Sequence, residues 1–98
     1  MHIRKAVEDF VRLGPLPDSS APEETIALHQ VHLRRIEQPV ADEEAALLVE
    51  LFGPDDCFGL AWTLLHLIES APGGTPITVE PKASDNEWIR RLWERSHR

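Results

Sequence analysis

Proline and glycine cut this chain into short pieces, and that punctuation limits the fold more than any other feature. Breaks fall at Gly14-Pro15, Pro39, Gly53-Pro54 and Ala71-Pro72-Gly73-Gly74, and prolines bracket the 76–81 span. Proline within a helix removes a hydrogen bond and clashes with the preceding turn, while glycine accepts the left-handed backbone that ends helices. The pieces between these breaks carry apolar residues at helical spacing. About five short helices are therefore expected, in an all-α fold that is a compact irregular or HEAT-like helical bundle. With 98 residues there is room for one domain and one modest core.

A first helix is predicted over residues 2–13, where Ile3, Ala6, Val7, Phe10 and Leu13 recur every three or four positions. Ser20-Ala21-Pro22-Glu23 has the form of a capping box opening a second helix that runs to about residue 37. Its apolar residues split between two sides, Ile26, Leu33 and Ile36 against Leu28 and Val31, so a partly extended 24–37 stays open. Asp42 is read as the N-cap of a third helix over 43–52, with Glu43 and Glu44 in the first turn where the helix dipole favours negative charge.

Asp55 or Asp56 is expected to cap a fourth helix from residue 57 to about 70. Cys57, Phe58, Leu60, Ala61, Leu64, Leu65, Leu67 and Ile68 would cover about half its circumference, which marks a central helix touched by several neighbours. Residues 76–81 lack a partner strand and read as an extended linker. Ser84-Asp85-Asn86-Glu87 is a second capping box, before a helix over 85–96 with Trp88, Ile89, Leu92 and Trp93 on its core face. Glu87–Arg91 and Glu94–Arg98 are spaced as ion pairs along it.

The net charge is −7, but its distribution says more. Residues 36–81 contain no lysine or arginine, yet hold Glu37, Asp42, Glu43, Glu44, Glu50, Asp55, Asp56, Glu69 and Glu80. An acidic surface repels phosphate backbones and anionic lipid and attracts basic proteins, so neither nucleic acid nor membrane is an expected partner. The apolar stretches fall far short of the roughly 20 residues that span a bilayer. Acidic Glu8 and Asp9 follow Met1-His2-Ile3-Arg4-Lys5-Ala6-Val7, where a signal peptide needs a hydrophobic run. Cys57 is the single cysteine, which rules out an intramolecular disulfide and suits a reducing cytoplasm.

Little here points to catalysis. His29 and His32 share a helix at a spacing able to hold metal, but a tight zinc site wants three or four ligands, and no second ligand pair follows. No metal, cofactor or enzymatic activity is expected. Cys57 would gain acidity from a helix N-terminus, but Asp55 and Asp56 oppose this, so a small core side chain is the better reading. His66 falls on the opposite side of that helix from Cys57. Trp62 sits at the edge of the apolar arc, with Gly59 and His66 one turn either side. That arrangement suits an interface anchor, although aromatic residues at helical spacing are more often core, covered by a neighbouring helix.

The stretch LFGPDDCFGLAWTLLHLIESAP over 51–72, followed by DNEWI over 85–89, resembles small bacterial proteins that serve as immunity partners of polymorphic toxins. The resemblance implies a cytoplasmic protein that binds a toxin domain and covers its active site. It brings no catalytic residues. Together with the lysine- and arginine-free span, it makes Asp42, Glu43, Glu44, Asp55, Asp56 and Glu69 the expected binding face for a basic toxin domain, with Trp62 and His66 as anchors. The alternative is a non-catalytic homodimeric structural or regulatory module, self-paired through Trp62 or the second face of the third helix.

Overall fold

Each amphipathic segment becomes a helix, and the breaks become the corners between them. The structure, a computed structural model, describes residues 3–97. In order come α1 Lys5–Leu13, α2 Glu23–Arg34, α3 Asp42–Leu48, α4 Leu60–Glu69 and α5 Glu87–Ser96, with a 3-10 turn Val49–Leu51 continuing α3. Among the described residues there is no strand, and 76–81 crosses the molecule as an unpaired linker. The fold is an all-α irregular bundle measuring 36 × 32 × 17 Å between Cα atoms, about two helix layers thick.

The wide apolar arc places α4 at the centre. It packs against α2, α3 and α5, while α1 closes the other side against α2 and α3. Leu60, Ala61, Leu64, Leu65, Leu67 and Ile68 are buried along it. They meet Val7 and Phe10 of α1, Leu33 of α2, Leu48 of α3 and Trp88 and Leu92 of α5 in one core. Burying each large side chain contributes roughly 1.5–3 kcal/mol before entropy is counted.

Gly53 locks one corner. A Cβ there would strike the Leu16 carbonyl. Leu16 N–H donates to the Leu51 carbonyl at 2.9 Å, and Asn86 Nδ2 donates to the Gly53 carbonyl at 2.9 Å. Three separate loops thus meet where only glycine fits.

Several helix boundaries differ from expectation, each because a side chain has another partner. The predicted start of α1 at His2 lies outside the described residues. The Ser20 hydroxyl donates to Asp18 Oδ1 at 2.7 Å and caps nothing, so Pro22 takes the N-cap of α2. α2 ends at Arg34, before residue 37, because Ile36 and Val40 turn into the core. The whole of 23–34 is helical, and its second apolar side, Leu28 and Val31, faces solvent.

Ala41 is the N-cap of α3, with Asp42 the first helical residue. Asp42 Oδ1 instead accepts from Gly73 N–H at 2.8 Å, tying α3 to the loop after α4. Asn86 caps α5, its Oδ1 accepting from Trp88 N–H at 2.8 Å, so that helix begins at Glu87. The largest departure is α4, which starts at Leu60 after a left-handed turn.

Candidate protein-binding surface

The carboxylates of the lysine- and arginine-free span fall into two groups. The first group is consumed inside the molecule. Glu44 is 1% exposed, so its place on a binding face is corrected. One oxygen accepts Arg4 N–H at 3.0 Å and Arg4 Nε at 3.1 Å; the other accepts Arg4 Nη2 at 3.1 Å and Ala41 N–H at 2.8 Å. Burial works to raise the Glu44 pKa, but these donors outweigh it and hold the carboxyl below its usual range. Arg4 also donates to the Glu37 carbonyl at 3.0 Å, so α1 staples the loop before α3.

Glu69 is half-buried and held by Arg95, with Nε to Oε2 at 2.7 Å and Nη2 to Oε1 at 3.0 Å. Asp42 is exposed but engaged by Gly73 N–H. Asp55 accepts Ser19 N–H at 3.0 Å and Cys57 N–H at 2.9 Å, and these bonds hold its pKa low. The basic residues missing from the span in sequence are thus supplied in part by the flanks, from α1 and α5.

The second group points to water. Glu37, Glu43, Glu50, Asp56 and Glu80 are exposed, and none is in an ion pair among the described residues.

Trp62 has a partner inside the molecule. Its ring meets Trp88 edge-on, centroids 5.0 Å apart at 88°, and Trp88 stacks on Phe52 at 6.2 Å. The Arg91 guanidinium lies 5.4 Å from the Trp62 centroid and 4.8 Å from that of Trp88, anchored by Glu87 at 3.0 Å. Trp62 is 36% exposed, so it is a half-covered lid with an arginine over it. His66 is exposed beside it, ring centroids 6.2 Å apart. Trp88 is buried, whereas Trp93 is half-buried and stacks on His97 at 3.8 Å. The partner predicted for Glu94, Arg98, lies outside the described residues.

Helical periodicity puts Phe58 in the buried arc, and the structure reverses this. Cys57, Phe58 and Gly59 take φ of 46°, 53° and 89°, three left-handed residues in a row. The turn is closed by Gly59 N–H to the Asp56 carbonyl at 3.0 Å and Leu60 N–H to the Cys57 carbonyl at 3.1 Å. Cys57 swings inward to full burial and Phe58 outward to 72% exposure. Each non-glycine residue held in this conformation costs about 1–3 kcal/mol, and an exposed phenylalanine forgoes roughly 1.5–3 kcal/mol of burial. Pro54-Asp55-Asp56 ahead of Gly59 is turn chemistry, and it is the sequence signal that marks Phe58.

Cys57 is no helix-terminal thiol. Burial raises its pKa first, and Asp55, Asp56 and Asp18 raise it further. His29 and His32 gather no third ligand, and no group of three metal-binding side chains occurs among the described residues. His29 is buried with Nδ1 on the Thr25 carbonyl at 2.9 Å, edge-on to Phe10. No helix among the described residues is long and apolar enough to cross a membrane. No family profile, curated protein or solved structure matches this chain.

Proposed function

We propose that this protein is a non-catalytic, cytoplasmic inhibitor of the immunity type, which captures a basic toxin domain through its acidic surface. One observation carries the reading: among the described residues, Glu37, Glu43, Glu50, Asp56 and Glu80 stay exposed and without an ion pair after the fold has engaged the other carboxylates of the 36–81 span. Unpaired surface carboxylates gain most from a cationic partner, which they attract at long range and orient on encounter. The sequence resemblance supports the same role. Of the acidic binding face expected from the sequence, Glu43 and Asp56 remain available on the surface, as does the expected anchor His66, whereas Glu44 is not.

Co-expression with the product of the neighbouring gene is the direct test, and the absence of a toxin-like reading frame there would also overturn the reading. A stoichiometric complex is expected, with an association rate falling steeply between low and physiological salt. Failure of the pair to co-purify would sink the reading.

A homodimeric module is the second reading, favoured by Leu28 and Val31, each 47% exposed one turn apart on α2. Sedimentation velocity at two concentrations separates the two. A dimer that persists on dilution supports self-association.

A further inference from the structure

Phe58 forms one wall of an open groove of about 420 Å³, completed by Ser19 and Ala21 of the preceding loop and Glu23, Ile26 and Gln30 of α2. No lysine or arginine lines it. Its aliphatic and aromatic walls suit an apolar side chain, and its surroundings are negative. Glu23 stands in the lining, and Asp56 precedes the turn that presents Phe58. Asp18 holds the Ser19–Ser20 loop by accepting Ser20 N–H at 2.9 Å. Asp55 Oδ2 accepts Ser19 N–H at 3.0 Å, which brings Asp18, next to Ser19, to the side of the turn where Asp55 and Asp56 stand.

The turn is also built to stay. Asp55 bridges Ser19 N–H and Cys57 N–H, so the loop and the turn that form the two sides of the groove are joined to one another. Phe58 is thus presented on a fixed support, and little conformational freedom is left for a partner to remove.

We propose that this groove receives an apolar side chain carried on a cationic segment of a protein partner, with Phe58 as the hydrophobic wall and Glu23, Asp18 and Asp56 as the flanking charges. This rests on the reading of the protein as an acidic binding module and names where on it the partner docks. An exposed aromatic flanked by charge of one sign matches the apolar core and polar rim of such a contact. A second copy of the chain fits poorly, because a two-fold contact would set these carboxylates against themselves on a molecule of net charge −7.

The test is a titration of the isotopically labelled full chain, followed by backbone amide resonances at low ionic strength. The probes are a short blocked peptide of alternating lysine and leucine and its counterpart with glutamate for lysine. The cationic peptide is expected to shift the amides of Ser19, Ala21, Ile26 and Phe58 saturably, and the anionic one to shift none of them. Phe58→Ala should weaken binding about tenfold or more, and Glu23→Lys by several-fold. Val79→Ala, which trims a residue of matching exposure (76%) away from the groove, should leave binding unchanged. Phe58 and Glu23 are both exposed, and a dispersed spectrum of each variant verifies its fold.

Saturable shifts elsewhere on the acidic surface would overturn the groove and leave the acidic-module reading intact. So would an unaltered affinity in Phe58→Ala. No response to the cationic peptide also overturns the groove, and co-purification with the toxin domain then decides the broader reading by itself. Shifts at Phe58 that grow with protein concentration alone would assign the groove to a second copy and end the proposal.

Discussion

Trp62 and Phe58 stand four positions apart, and the fold treats them in opposite ways. Trp62 rises from the first turn of α4 and finds Trp88 and Arg91 waiting on α5. Phe58 precedes the helix, on a backbone twisted left-handed, and meets water. From the sequence, Trp62 looks like the anchor and Phe58 the core residue. The difference teaches that an aromatic's role depends on which element it belongs to and what crosses over it, more than on its place along an apolar arc.

The carboxylates divide in the same way. Glu44 and Glu69 have arginines brought from outside the acidic span, whereas Asp56 faces solvent beside the Phe58 turn. A count of charges along the chain treats these residues alike. Only some of them remain for a partner.

Substitutions put that contrast to the test. The largest effect is expected at Trp88, which carries the covered side. Trp88→Ala would remove the ring between Phe52 and Trp62 and destabilise the protein by about 3–5 kcal/mol, read as a fall in denaturation midpoint. A loss below 1 kcal/mol would mean that Trp62 is not held by α5.

Next is Glu44→Gln, expected to cost about 2 kcal/mol at neutral pH, because Arg4 and two backbone N–H groups lose their charged acceptor. Its pH dependence gives a sharper check. The folded-state pKa of Glu44 is depressed, so its stabilisation is present above the ordinary value of 4.5 and is lost as pH falls through the folded value. Stability of the Gln variant should therefore fall less steeply than that of the parent over that acid range. Parallel acid-unfolding curves would contradict the buried pair.

Trp62→Ala should cost only about 1 kcal/mol, the worth of one edge-on pair and one cation–π contact on a half-exposed ring. Phe58→Gly is the smallest effect and has the opposite sign. It relieves a left-handed phenylalanine and loses almost no burial, so a gain of roughly 0.5–1 kcal/mol in stability is expected. If that variant melted earlier than the parent, Phe58 would have to be packed against the molecule and not presented from it.

What was legible in the sequence is the set of local rules. Gly14-Pro15 and Gly53-Pro54 mark helix ends, Val7, Phe10 and Leu33 mark inner faces, and the half-circumference arc of residues 57–68 marks a central helix, although only its 60–68 part proves helical. These follow from backbone sterics and periodicity, which act over a few residues and need no knowledge of the rest of the chain. The acidic character of 36–81 belongs to the same category.

Which polar groups are spent is settled by packing. Ser20 lost its capping role to a nearer partner, Asp18. Glu44 was drawn inward by Arg4, forty positions away, and Trp62 was roofed by α5. Such pairings depend on which helices meet, and no spacing along the chain encodes that. Local sequence rules are enough for five short helices and an excess of negative charge. The packing of α1 and α5 onto the centre determined where that charge survives, because a carboxylate is available to a partner only where the fold has brought it no donor.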